Sequence, residues 1–244
     1  MTDIRELILY RNFENGKVLE DMTWIMEHFN QKECTEEVRD RFFSCMHELI
    51  ELAAQYGFEQ NLWQTYLTFL LVNNENSFST ACEIRGISDC SLLNLARHDF
   101  AIFRELFAYD FTDLERTLQA GFFEELLRYR REETSGKLFN HRIRDRICSL
   151  SKELAAADTL EGFTESMVEF YREFGVGTLG LHKAFRVAHD ESGVRIEPIT
   201  NIRHVNLEDL VGYEIAKQKL IDNTEAFVQG RRANNCLLFG DAGT

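Results

Sequence analysis

The last residues of the chain carry the pattern that most directly suggests chemistry. A short apolar run at 236–239 is followed by Gly240, Asp241, Ala242, Gly243 and Thr244. These five residues fill the first five places of GxxxxGK[ST]. In that loop, backbone N–H groups wrap phosphates, a lysine reaches the outer ones and a hydroxyl holds Mg²⁺. The second glycine, the lysine and the hydroxyl residue would come next, so we expect a fragment that is cut inside a phosphate-binding loop.

Other motif-like stretches are better explained as ordinary structure. GVGTLG at 175–180 matches GxGxxG, but it follows a predicted helix and opens a predicted strand, the reverse of a dinucleotide site. Gly136-Lys137 has no strand before it, which indicates a turn. His47-Glu48 begins like HExxH, yet Glu51 stands where the second histidine must be. We therefore predict no metal ligands and no catalytic residues within these 244 positions.

Composition limits the classes of partner. The net charge is −14 at pH 7, and such a field repels nucleic acid and anionic membranes at long range. There is no long apolar run to span a membrane and no secretory signal at the start, so we expect a cytoplasmic protein. The 6 cysteines have no CxxC spacing, which predicts reduced, buried thiols.

Residues 1–175 read as an irregular bundle of amphipathic helices. The chain has a single proline, Pro198, and proline-free sequence rich in Leu, Glu, Arg and Phe favours helix. Thr35 is the expected N-cap of one helix and Gly57 its end. Thr112 and Glu115 have the spacing of a capping box that starts a continuous helix running into RYR.

Two features of this region allow more than one interpretation. Phe100, Phe103 and Phe107 share a helical face, which we assign to the core rather than to a partner groove. The basic stretch from Arg128 to Arg146 could dock an acidic partner or nucleic acid. Solvated helix ends with acidic neighbours are the simpler interpretation.

Beyond 175 the hydrophobic period changes from helix to strand. Residues 176–205 alternate apolar and polar positions around a DESG turn, which predicts a β-hairpin connector with Pro198 at its edge. Residues 206–244 should hold a helix from Asn206 to Gly230 and then a buried strand at 236–239. The predicted fold class is mainly α, followed by the hairpin and the truncated start of an α/β P-loop module. We expect residues after about 230 to be mobile or captured by another surface.

The stretch NLEDLVGYEIAKQKLIDNTEAFVQGRRANNCLLFGDAGT resembles the opening of a AAA+ ATPase module. Such modules begin with a DLVG-like turn, a helix, an apolar strand and the P-loop. More narrowly, the chain is similar to a bacterial family of uncharacterised predicted AAA+ ATPases, the domain of unknown function family eight-one-five. The resemblance implies that Val211 and Gly212 form the turn whose backbone lies along adenine. It also makes 240–244 the front of the phosphate loop.

What the resemblance implies is a longer parent that binds ATP with Mg²⁺ and hydrolyses it. The P-loop lysine, the Walker B acids, the sensors and the arginine finger are absent from these residues, so this chain should not hydrolyse ATP. By analogy, the helical region recruits a protein partner or substrate, and the parent forms a homo-oligomeric ring. The alternative is a complete, non-enzymatic helical protein-interaction module whose glycine-rich end is a coincidence.

Overall fold

The computed structural model is mostly helical (69%), which confirms the predicted main-α fold class. It describes residues 3–29, 35–87, 90–121, 123–130, 141–177, 185–190, 193–198, 207 and 211–238. The chain divides into two compact units, 1–201 and 202–244. The finer boundaries near 175 and 205 stay predictions.

The first unit contains nine of the described helices. A short 3-10 turn at Ile4–Glu6 precedes them. In chain order they are α1 (Lys17–His28), α2 (Glu36–Tyr56), α3 (Leu62–Asn73), α4 (Ser77–Arg85), α5 (Ser91–Phe107), α6 (Thr112–Leu118), α7 (Phe123–Leu127), α8 (His141–Ala156) and α9 (Leu160–Phe174).

Capping residues set both ends of α2 as expected, and another begins α9. The Thr35 hydroxyl accepts a hydrogen bond from the Val38 N–H at 3.2 Å, and Gly57 ends α2 in the left-handed region with φ 73°. At α9 the Thr159 hydroxyl accepts from the Gly162 N–H at 3.1 Å. These local signals satisfy donors and acceptors that the first and last helical turns leave open.

The predicted capping box at Thr112 and Glu115 is wrong. Thr112 is already helical, and Asp110 Oδ1 accepts its backbone N–H at 2.9 Å and also its hydroxyl proton. Because α6 has Phe111 as its N-cap and Thr112 as its first helical residue, the Thr112 hydroxyl is not at the capping position. The predicted continuous helix also breaks, since Gln119 adopts φ 52° and α7 begins only at Phe123.

Helix α3 lies at the centre of the core. It packs against α2, α5, α7 and α8, and almost every side chain from Leu62 to Val72 is buried. A helix that is apolar all round needs neighbours on every side. Phe100, Phe103 and Phe107 of α5 are buried in the same cluster, which confirms their assignment to the core.

The segment before α1 is fixed by a buried carboxylate. Asp99 of α5 is fully buried, and it accepts backbone N–H groups from Ile8 at 2.9 Å, Leu9 at 2.7 Å and Tyr10 at 3.0 Å. The Tyr10 hydroxyl also lies 3.0 Å from that of Tyr171 in α9. Three N–H donors supply the hydrogen bonds that a carboxylate loses when it leaves water.

The predicted hairpin is present as two antiparallel strands, β1 (Phe185–Asp190) and β2 (Gly193–Pro198). Val187 pairs with Ile196, and Phe185 pairs with Pro198, which is the last residue of β2. Val187 and Ile196 are 62% and 60% exposed. The hairpin therefore exposes apolar side chains, and it is held together by the backbone hydrogen bonds between its two strands.

The second unit contains α10 (Glu214–Val228). The helix predicted from Asn206 is too long at its start, because Val211, Gly212 and Tyr213 are not helical. Positive φ angles at Gly212 and Tyr213 are incompatible with a right-handed helix.

Candidate functional site

The turn at 211–213 is where the resemblance to an ATPase module places the adenine. Val211 is 95% exposed, and Gly212 has φ 88° with open space where a Cβ would stand. Tyr213 has φ 61° and serves as the N-cap of α10 without a side-chain capping bond. A left-handed tyrosine costs about 1–2 kcal/mol. The turn therefore presents open backbone and holds one strained residue.

Helix α10 continues directly from this turn. Its first bond joins the Lys217 N–H to the Tyr213 carbonyl at 2.9 Å, and the Lys217 ammonium pairs with Glu214 at 2.8 Å. A shallow open depression of about 550 Å³ lies beside the first turn, lined by Tyr213, Glu214, Ile215, Ala216 and Lys219. Flat groups could rest there, with the Gly212 backbone adjacent in the chain.

The end of α10 is a glycine-stopped reversal of the chain. Gly230 has φ 70°, its N–H bonds to the Phe227 carbonyl at 3.0 Å, and the Arg231 N–H bonds to the Ala226 carbonyl at 2.8 Å. These two bonds define a Schellman motif, which requires a left-handed residue and so favours glycine. The motif turns the chain back along the helix.

One side chain of α10 then holds the returning segment. The Asn223 carboxamide donates from Nδ2 to the Asn234 carbonyl at 2.8 Å and accepts the Asn234 N–H on Oδ1 at 2.8 Å. Nδ2 also lies 3.2 Å from Cys236 Sγ. This arrangement, the Asn223 clamp, satisfies both polar groups of one backbone residue, as a neighbouring strand would. It fixes the chain two residues before the apolar run begins at Cys236.

The predicted buried strand at 236–239 is wrong for the residues that can be described. Residues 232–238 carry no strand assignment, and Leu237 and Leu238 are 83% and 75% exposed. A strand needs the N–H and C=O groups of a neighbouring strand, and no described residue of the second unit supplies one. Phe239 lies outside the described residues.

The predicted phosphate-loop residues cannot be placed beside this turn. Gly240, Asp241, Ala242, Gly243 and Thr244 lie outside the described residues. Val211 and Gly212 are therefore the members of the predicted nucleotide site that have a geometry. Their assignment to the adenine stays a prediction.

Metal-binding groups and reactive thiols are the other features to consider among the described residues. No group of three or more His, Cys, Asp or Glu side chains could hold a metal ion in the described part of the chain. Burial raises the pKa of Cys45 to about 12 and that of Cys82 to about 11, so both thiols are protonated at neutral pH. Thiolates are the reactive form, so these cysteines are inert core residues.

The structure describes both ends of the basic stretch from Arg128 to Arg146. Arg128 pairs with Glu124 at 3.2 Å and Arg144 pairs with Asp145 at 2.6 Å, while residues 131–140 fall outside the described ranges. These two bases thus have an acidic neighbour, as expected for solvated helix ends, whereas the Arg146 guanidinium lies 3.9 Å from the centre of the Phe174 ring. Over the ranges described, no helix has the length and apolar character needed to cross a membrane, and the cytoplasmic location stays a prediction.

Comparison with known protein families gives a match over the final part of the chain. A family model described as "Protein of unknown function (DUF815)" matches residues 180–244. This match covers the hairpin, α10 and the segment held by the Asn223 clamp, and residues 1–179 lie outside it. Neither the curated proteins nor the solved structures give a match. The findings support similarity to an uncharacterised family over the final part of the chain.

Sequence reasoning missed the Asn223 clamp. Asn234 belongs to the stretch that suggested an approach to the phosphate loop, but its partner stands eleven positions earlier. A hydrogen-bonded pair of residues eleven positions apart does not produce a periodic pattern in the sequence. The usable signal was Gly230 itself, because a helix stopped by glycine must send the chain back past its own side chains.

Proposed function

We propose that residues 206–244 are the first part of a AAA+ ATP-binding module in a longer protein. The family match at 180–244 supports a shared domain there, although its description names no activity. The partial motif from Gly240 to Thr244 supplies the chemistry: a glycine-rich loop whose N–H groups face phosphates. Residues 1–175 then form the helical region that recognises a protein partner or substrate.

The observation that carries the proposal is the Asn223 clamp together with the Gly230 reversal. In a P-loop module an apolar strand leads directly into the phosphate-binding loop. Here the helix ends, the chain turns back and the Asn234 backbone is held on both sides. An ordinary surface tail has no need of such fixing.

ATP with Mg²⁺ is the ligand that the proposed module takes, and it supplies the phosphoanhydride bond. This chain contributes the Val211 and Gly212 turn, whose backbone is open to a base. It also contributes the front of the phosphate loop. A P-loop lysine and Walker B acids are needed for hydrolysis, so these 244 residues bind too little of the nucleotide to turn it over.

Calorimetry tests the proposal directly. The titrant is Mg·ATP, and the samples are this chain, the chain extended through the whole predicted module, and the extended chain with its P-loop lysine changed to alanine. We expect heat of binding from the extended chain alone. Absence of binding in every sample, or a natural stop codon after Thr244, would leave a helical interaction module and overturn the ATPase proposal.

The proposed oligomeric state and partner also rest on the resemblance to AAA+ ATPases. A AAA+ parent forms a homo-oligomeric ring, and its partner is a protein rather than nucleic acid, because the net charge of −14 repels phosphate backbones. Sedimentation of the extended chain with and without Mg·ATP checks this. A monomer in both conditions would contradict the ring.

A further inference from the structure

The segment that follows α10 runs back along that helix. Gly230 reverses the chain, and at Asn234 the backbone has returned to Asn223, which lies five residues before the last helical residue, Val228. At a rise of about 1.5 Å per residue, this is a return of about 8 Å along the helix axis. Between Gly230 and Asn234 the segment is therefore antiparallel to α10.

Asn223 contacts this segment at two positions. Its carboxamide makes both hydrogen bonds of the Asn223 clamp to Asn234, at 2.8 Å each, and its Nδ2 lies 3.2 Å from Cys236 Sγ. Residues two positions apart point to the same side of an extended segment. Asn223 therefore fixes where the segment lies along α10 and also which side of the segment faces the helix.

The lengths of helix and segment match beyond this point. From Asn223 back to Glu214, the first residue of α10, the helix measures about 14 Å. From Asn234 on to Leu238, an extended chain measures about 13 Å. A segment that keeps its direction thus brings Leu238 to the first turn of α10, which directly follows the exposed turn at 211–213.

We propose that Asn223 is a positioning residue that brings the end of the apolar run beside the first turn of α10. Its role in nucleotide binding rests on the proposed function, in which the turn at 211–213 meets the base and the residues after the apolar run meet the phosphates. Base and phosphates belong to one small ligand, so the two parts of the chain that receive them must lie at the same end of α10. Asn223 touches neither of them and acts through the backbone of Asn234.

The chemistry of asparagine suggests graded variants. The Asn223 carboxamide has a donor for the Asn234 carbonyl and an acceptor for its N–H. Asn223→Asp keeps only the acceptor, and Asn223→Ala keeps neither. Thr224→Ala is the matched control, because the Thr224 hydroxyl donates to the Leu220 carbonyl at 2.8 Å within α10 itself.

Distances between nitroxide labels test the placement in this chain without any nucleotide. One label is attached at Leu238→Cys, and the other either at Ile215→Cys in the first turn of α10 or at Phe227→Cys in its last turn. All three side chains are exposed, and the two helix positions lie about 18 Å apart along the axis. All cysteines other than the buried Cys45 and Cys82 are replaced by serine, and the distances are measured by pulsed electron paramagnetic resonance.

We expect position 238 to lie closer to position 215 than to position 227, with a narrow distribution for each pair. Asn223→Ala should broaden both distributions and remove the difference between them, whereas Thr224→Ala should keep the native pattern. The reverse order in the native chain overturns the proposal, because the segment would then lead away from the first turn. Unchanged distributions in Asn223→Ala overturn it as well.

Calorimetry with Mg·ATP measures the consequence in the chain extended through the whole predicted module. Loss of both hydrogen bonds in Asn223→Ala should weaken ATP binding about tenfold. Asn223→Asp should lose less, and Thr224→Ala should stay within about twofold of the native extended chain. Equal affinities for the native and Asn223→Ala forms would show that Asn223 does not position the nucleotide site.

Stability separates positioning from folding. The bonds of the Asn223 clamp are exposed, so urea unfolding should be nearly the same for all these variants while ATP affinity differs. A parallel fall in stability and affinity would make Asn223 a structural residue instead. A native extended chain that binds no Mg·ATP would end the ATP proposal, whereas the order of the label distances decides the placement by Asn223 whatever the nucleotide result.

Discussion

Large apolar side chains are mostly buried in residues 3–177 but exposed in residues 207–238. In the first region large aromatic residues such as Phe42, Phe100 and Tyr171 are almost completely buried. In the second, Phe227 is 74% exposed and Leu237 is 83% exposed, and none of the described residues is buried. The apolar pattern of a sequence thus shows which side chains favour burial, but whether they are buried depends on the elements that pack against them.

The energetic consequence is that the two regions are held together by different forces. The core of the first region is stabilised by apolar burial and aromatic contacts, such as the one between Phe78 and Phe100 at 5.7 Å. The described part of the second region relies on local hydrogen bonds around α10, at its Gly230 end and at the Asn223 clamp. Solvent competes with such bonds, so each contributes little.

Truncating one phenylalanine in each region should give the sharpest contrast. Phe100→Ala removes a fully buried ring and should lower the free energy of unfolding by about 4 kcal/mol. Phe227→Ala changes an exposed side chain and should alter it by less than about 0.5 kcal/mol. Urea unfolding followed by circular dichroism measures both. Comparable losses would mean that α10 is covered in solution.

The contrast between buried and exposed side chains should also appear in how stability depends on alkaline pH, because Cys45 is buried and Cys236 is exposed. Burial raises the pKa of Cys45 from 9.0 to about 12, so above pH 9 the unfolded chain releases a proton that the folded chain keeps. Stability is then full below pH 9 and is lost as the pH rises toward 12. Between about pH 8 and about pH 10, Cys45 should account for a loss of about 1.4 kcal/mol.

Alanine variants isolate this contribution. Cys45→Ala should lose about 1.4 kcal/mol less than the native chain between these two pH values, whatever the pH-independent cost of the smaller side chain. Cys236→Ala, at an exposed position, should keep the native pH dependence. Urea unfolding at both pH values decides, and identical slopes in the two variants would rule out a buried Cys45 thiol.

The smallest effect is expected at the Asn223 clamp. Asn223→Ala removes both exposed bonds to Asn234 and should change global stability by less than about 0.5 kcal/mol, while hydrogen exchange of the Asn234 amide accelerates. Asn223→Asp is the matched control, because its carboxylate still accepts that N–H. Protection should fall in the order native, Asp, Ala; equal exchange in all three would show that the clamp does not form in solution.

Sequence patterns anticipated what depends on neighbours along the chain. Thr35 and Gly57 set the ends of α2 through atoms within a few residues, and Val187 and Ile196 pair across a short turn. The start of α6 was misjudged because Asp110, just before Phe111, accepts the Thr112 N–H, so that Thr112 lies inside the helix instead of capping it. Asp110 and Thr112 are both common capping residues, so residue type and spacing did not decide which of them would accept the first free N–H group.

The candidate site was less predictable because its order depends on partners distant in sequence. An apolar run such as 236–239 has the composition of a strand, but its pairing requires another strand beside it. Asn223 and Asn234 meet only because Gly230 reverses the chain. The turn at Gly212 could be anticipated, whereas the left-handed Tyr213 could not, since aromatic residues seldom adopt that conformation.

The buried Asp99 also has a consequence for how the protein is made. Residues 8–10 leave the ribosome early, but their acceptor is encoded about ninety positions later, and closing so long a loop is slow. The N–H groups of residues 8–10 therefore lack their native acceptor until α5 has been synthesised. Residues 8–10 can thus reach their native hydrogen bonds only after a segment about ninety positions further along the chain has been made.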